Sequence, residues 1–153
     1  MSRIINSDRV ARLILEEQLI HFESFTPLFD MVDNHHVRVA KKGVIDFNPR
    51  DYDLLDGLKQ GSFATLRTLF TLNMPENIGG VIATNSWAAQ LGLDVSGSSI
   101  FVDPGFSGTI VLEITNRMHV PFRMLKDKYI AKLVLENCDN SYDGSKGNTD
   151  DRP

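Results

Sequence analysis

The residue best placed to do chemistry in this chain is Glu113. It lies in Gly108-Thr109-Ile110-Val111-Leu112-Glu113-Ile114-Thr115-Asn116. Strand side chains alternate with period two, so Ile110, Leu112 and Ile114 share one face while Val111, Glu113 and Thr115 share the other. Two readings of Glu113 stand side by side. On a wetted face the carboxylate only keeps the strand polar. Held beside apolar Val111 and partly desolvated, it becomes a stronger base, suited to proton transfer near neutral pH. Upstream, Asp103 opens Asp103-Pro104-Gly105; it is read first as a turn residue favoured before Pro-Gly and second as a site carboxylate. Metal chemistry finds little to work with. The single cysteine, Cys138, excludes an internal disulfide and any zinc site that needs two thiolates. His35 and His36 are adjacent and cannot share a strand face, and His21 and His119 stand alone, so no histidine has ligand spacing. No metal site within the protein is expected.

The elements that must position these residues are mostly strands. Ser7-Asp8 predicts a helix start, and Val10, Leu13, Ile14 and Ile20 fall on one face of a short amphipathic helix ending near His21. After Pro27 the pattern turns to short β-rich segments broken by Gly, Pro, Asn and Asp. The clearest strands are 63–72, 108–116 and 129–135, rich in branched and aromatic residues. The 153 residues suit one domain, placed at 1–136, and the polar stretch 137–153 reads as a flexible arm. Sixteen basic against twenty acidic residues, a net charge of -4, and the absence of a basic stripe argue against nucleic acid as partner. No apolar run reaches membrane-spanning length, and Met1-Ser2-Arg3-Ile4-Ile5-Asn6 carries no export signal. The expected compartment is the cytoplasm.

The spacing of Asp103-Pro104-Gly105-Phe106-Ser107-Gly108, Val111-Leu112-Glu113 and Asn116 resembles the core motif of dCTP deaminases. The likeness continues through Pro121 and Ile130-Ala131-Lys132-Leu133, and backward through Leu91-Gly92-Leu93 and the Met74-Pro75 turn. Tyr142-Asp143-Gly144-Ser145-Lys146-Gly147 is similar to the family's C-terminal arm. The chain is shorter than a typical bacterial deaminase, with the missing length between about Val39 and Leu58. The resemblance implies an all-β fold, a distorted jelly-roll-like β-barrel of the dUTPase type with a short N-terminal helix. It also implies a homotrimer with nucleotide sites shared between subunits, magnesium (Mg2+) bound with the triphosphate, and no zinc. Glu113 falls on the glutamate that activates water for attack on C4 of cytosine, and in the related dUTPases a carboxylate in the Asp103 region is the general base.

Departures from the family pattern cluster at the nucleotide. Where the family places an arginine, two serines and a second arginine, this chain reads Asn85-Ser86-Trp87-Ala88-Ala89-Gln90, so only Ser86 survives. Charge-assisted hydrogen bonds are worth about 1.5 to 3 kcal/mol each, and losing two guanidiniums costs roughly 3 to 6 kcal/mol of triphosphate or transition-state binding. Trp87 fills space in a core or interface, or stacks on a base. His36 stands where the family has an aspartate, and Ser141 and Ser145 replace a lysine and a glutamine of the arm. The candidate residues are therefore Glu113 for catalysis, with Asn85, Ser86, Gln90, Asp103 and Tyr142 for nucleotide binding. Two functions fit: a trimeric nucleotide-binding, regulatory or structural protein, weak or inactive as a deaminase, or a working pyrimidine deoxynucleotide hydrolase using Glu113. An unidentified protein partner, including one that supplies arginines in trans, remains open.

Overall fold

The computed structural model describes residues 4–16, 19–22, 31, 32, 34–95 and 100–138. Asn6 caps the first helix, its side-chain oxygen accepting the Arg9 N–H at 2.9 Å, and α1 (Ser7–Leu15) buries Val10, Leu13 and Ile14 as their spacing predicts. The helix stops well short of His21. The Leu13 carbonyl accepts from Leu19 N at 2.8 Å instead of continuing the four-residue ladder, and Ile20 passes into β1 (Ile20–Phe22).

Ten further strands follow among the described residues: β2 (Val37–Val39), β3 (Ile45–Phe47), β4 (Phe63–Arg67), β5 (Phe70–Asn73), β6 (Ile78–Thr84), β7 (Leu93–Val95), β8 (Ile100–Val102), β9 (Ser107–Gly108), β10 (Val111–Asn116) and β11 (Ala131–Asn137). They form three sheets of order β1-β5-β9, β4-β10-β7 and β2-β3-β11-β6-β8. The expected barrel is not formed. Closure requires the outer strands of a sheet to pair with one another, and among the described residues each sheet keeps two unjoined edges. Its short outer strands, such as β2 and β8, offer few ladder bonds, and the sheets meet through side-chain packing.

The predicted strands 63–72 and 108–116 are each broken, and at the same place. Thr68, fully buried, donates its hydroxyl to Phe70 O at 2.8 Å and accepts Ile110 N at 3.0 Å, while Thr68 N donates to Ile110 O at 2.9 Å. This knot lets both segments leave one sheet and enter another: β4 and β10 pair on one side of it, β5 and β9 on the other. Ile110, Leu112 and Ile114 do face the core.

Two buried asparagines tie the loops to this frame. Asn48 donates to His35 O and Lys128 O and accepts Ile130 N; Asn116 donates to Leu58 O and Val120 O and accepts Met118 N. Each asparagine joins three backbone groups from separate stretches of loop and strand through one buried side chain. The core they border runs from Val10 and Leu13 through Phe47, Phe70, Leu112 and Leu133, with the Phe47 and Phe70 rings edge to face at 5.7 Å.

Candidate functional site

The segment that should meet a phosphate leaves β6 at Thr84 and becomes a five-residue helix, α2 (Ser86–Gln90). So short a helix has no amphipathic period to read in the sequence. Gly92 then turns the chain into β7 with φ +86, and a Cβ there would lie 1.9 Å from Met118 Cγ, so only glycine fits.

Within this segment the donors turn inward. The Asn85 Nδ2 group donates to Asp46 Oδ1 at 3.0 Å and to Ala131 O at 3.2 Å, which engages both of its N–H bonds. Trp87 Nε1–H, the only donor of the indole, bonds Tyr129 O, and its ring packs at 5.8 Å from that of Phe122. Asp46 is 5% exposed and also accepts from Arg38 Nη2 at 2.7 Å. Arg38 in turn lies over the Tyr129 ring, 4.7 Å from its centroid. Burial holds the Tyr129 phenol above the usual tyrosine range; Arg38 pulls it down, while Asp46, Asp127 and Tyr52 push it up. Of the segment's polar side chains only Ser86 and Gln90 are exposed.

The remaining candidates lie elsewhere. Glu113, paired in register with Thr65 on β4, is exposed on the outward face of its sheet, with Val111 37% and Phe63 62% exposed around it. No described residue gives it a hydrogen bond or ion pair. Asp103 is exposed in the turn after β8, where Phe106 N returns to its carbonyl at 3.1 Å and Gly105 N donates to Pro75 O. Since Val102 pairs with Gly80 near the start of β6 and Asn85 follows its end, Asp103 and Asn85 are separated by roughly 20 Å at about 3.4 Å per residue. Within one chain the structure brings Asn85, Ser86 and Gln90 together in one segment and leaves Asp103 at the far end of β6, while Glu113 stands on β10, whose neighbour β7 bonds Thr84 through Val95 N. Tyr142, Ser141 and Ser145 lie outside the described residues.

His36 does not replace an aspartate by offering a polar group outward. Its Nε2 meets Arg50 O at 3.1 Å and its ring sits edge-on to Tyr52, 5.3 Å between centroids, with Nδ1 buried and unpartnered among the described residues. Magnesium prefers carboxylate and phosphate oxygens. The carboxylate beside Asn85, that of Asp46, is buried and engaged by two donors, so these residues do not fit a protein-held magnesium; any such ion would be carried by a ligand's own phosphates. Among the described residues no three His, Cys, Asp or Glu side chains gather at metal-binding distance, and no helix is long and apolar enough to cross a membrane. An open depression of about 330 Å3 between Tyr52, Asp53, Asp56 and the 124–128 loop contains none of the candidates.

The residues that sequence reasoning missed are Arg38 and Asp46. A signal existed: each is a lone charge between apolar neighbours, Val37-Arg38-Val39 and Ile45-Asp46-Phe47, of opposite sign. Pairing of β2 with β3 sets the two in register.

Comparison with known proteins agrees with this architecture. The dCTP deaminase-like family matches residues 29–138. A dUMP-forming dCTP deaminase of Methanoregula boonei is 30% identical over 126 residues, 80% of this chain and 67% of that protein. Among other curated dCTP deaminases that it matches, the chain spans 47% of one and 41% of another, and 81% of a third at 27% identity. Among solved structures, a 2'-deoxycytidine 5'-triphosphate deaminase from Agrobacterium tumefaciens superposes with a TM-score of 0.58 at 12% identity, over 89% of this chain and 48% of that one. The EIAV dUTPase gives 0.50 at 14% identity, over 94% and 93%. At such identities the two structures speak for the fold alone. The chain therefore belongs to the dCTP deaminase-like family, in the superfamily it shares with dUTPases, as a diverged member.

Proposed function

We propose that this chain is a diverged dCTP deaminase-like protein of deoxynucleotide metabolism, weak or inactive as a deaminase, that acts as a trimeric nucleotide-binding or regulatory protein. One observation carries the reading: both amide hydrogens of Asn85 and the indole N–H of Trp87 are engaged by the chain's own oxygens. The segment that should grip a triphosphate works as an internal strut, and opening it for a ligand would take a donor from one Asp46 oxygen and from the carbonyls of Tyr129 and Ala131. Trimer formation is supported by geometry as well. Asp103 and Ser86 stand at opposite ends of β6, so a site that uses both needs two copies of the chain, and exposed Phe63 and Val111 provide apolar surface beside Glu113.

The test is chromatographic assay of dCTP conversion at high protein concentration, alongside an active dCTP deaminase. Turnover at least a hundredfold below that enzyme is expected, from the roughly 3 kcal/mol or more lost with two guanidiniums. Turnover at a similar rate would overturn the reading. Light scattering should give three times 17.2 kDa; a monomer would remove the trimer.

A second reading, a working pyrimidine deoxynucleotide hydrolase, is favoured by Glu113, which is exposed and unpartnered among the described residues. In it Glu113 activates water and Ser86 meets the phosphates. Glu113→Gln must then abolish whatever turnover is measured.

A further inference from the structure

Asp46, itself buried, stands in register with Arg38 on β2 and Lys132 on β11. The guanidinium of Arg38 is held on two sides, by Asp46 Oδ2 at 2.7 Å and by the Tyr129 ring at 4.7 Å, yet the side chain is 52% exposed. Of the five N–H bonds a guanidinium carries, one is engaged by Asp46, and the open edge faces solvent. A cation fixed in this way has little side-chain freedom left to lose when it binds, and its planar fork matches the oxygens of a phosphoryl group. The same carboxylate links Arg38 to Asn85, so cation, carboxylate and the entry to α2 form one hydrogen-bonded unit next to the exposed Ser86. Arg38 and Lys132 sit in register on either side of Asp46, and Asp127 is the other charge acting on the Tyr129 ring, so the exposed guanidinium is the cation this corner offers to solvent.

We infer that Arg38, with Lys132 beside it, holds the phosphoryl end of a nucleotide, so that the cation missing from residues 85–90 is supplied from β2. This rests on the reading of the chain as nucleotide-binding. The rival account is purely structural: Arg38 does no more than neutralise a buried carboxylate.

Replacing both partners separates the two accounts. In Arg38→Gln with Asp46→Asn the pair becomes neutral, no carboxylate is left without its cation, and the guanidinium is gone. Calorimetric titration of the full chain with inorganic triphosphate and with dCTP is expected to show binding of both, weakened about ten- to a hundredfold in the double variant. The wild-type affinity should also fall with added salt, and the variant's should fall less. Unchanged affinity in a double variant with a normal unfolding transition overturns the inference, as does failure of the wild type to bind triphosphate. If the pair does not fold, Arg38→Gln alone is titrated against the same limits. Binding of dCTP that ignores Arg38 rejects this site but leaves the nucleotide-binding reading in place. Efficient turnover of dCTP, with triphosphate binding still dependent on Arg38, rejects the weak-enzyme reading and keeps the site.

Discussion

In α2 and the residue before it, three N–H donors point inward and meet Asp46, Ala131 and Tyr129, whereas on β10 the Glu113 carboxylate stands exposed without a partner among the described residues. Both regions lie within the stretch that matches the family, but their side chains face different surroundings. Hydrogen bonds to a chain's own oxygens stabilise its fold and are not free for a ligand. An exposed carboxylate contributes almost nothing to stability and stays available. Two positions in one matched family stretch can therefore differ in whether their polar groups are spent on the fold or left open to solvent.

Mutations should expose this contrast, and the largest effect belongs at the centre of the inward network. Asp46→Ala should cost about 3 kcal/mol in chemical denaturation, since it leaves Arg38 and the Asn85 amide without their shared acceptor; a loss below about 1 kcal/mol would mean that the network is ornamental. Asn85→Ala should cost about 1 to 3 kcal/mol, by leaving one Asp46 oxygen and the Ala131 carbonyl short of a donor. Trp87→Phe keeps the packing on Phe122 and removes only the bond to Tyr129 O; about 1 kcal/mol is expected.

Smaller still is an alkaline effect. Because burial raises the Tyr129 phenol above its ordinary value, the unfolded chain ionises first as pH climbs. That contribution to stability is complete below the unfolded tyrosine value of about 10 and is lost as pH rises through the folded one. Tyr129→Phe should flatten this part of the stability profile measured by urea unfolding at stepped pH. The smallest effect belongs to the other region: Glu113→Gln should change stability by no more than about 0.5 kcal/mol. A larger loss in the assembled protein would place Glu113 in a buried contact between subunits and break the contrast.

Much of the frame was legible in the residues. The alternation of Ile110, Leu112 and Ile114 against Val111, Glu113 and Thr115 named the buried face of β10, and Val10, Leu13 and Ile14 named that of α1. Neither pattern depends on anything beyond the local period of the backbone. The breaks at Thr68 and Ile110 were not legible, because they depend on a hydroxyl that meets a residue 42 positions away. The closed barrel expected from resemblance failed for a similar reason, since closure depends on whether distant edges meet.

By itself the sequence determined the strand-rich pattern, the membership betrayed by the Asp103-to-Asn116 motif, the single cysteine that leaves no two-thiolate zinc site, and a segment 85–90 without a cation. Only the tertiary structure decided what the replacements do. Whether Asn85 faces a ligand or the interior depends on where Asp46 and Ala131 lie, and both are brought beside it by pairing of β3 and β6 with β11. An amide takes the partners that its surroundings place within about 3 Å, and no feature of residues 85–90 alone specifies those surroundings.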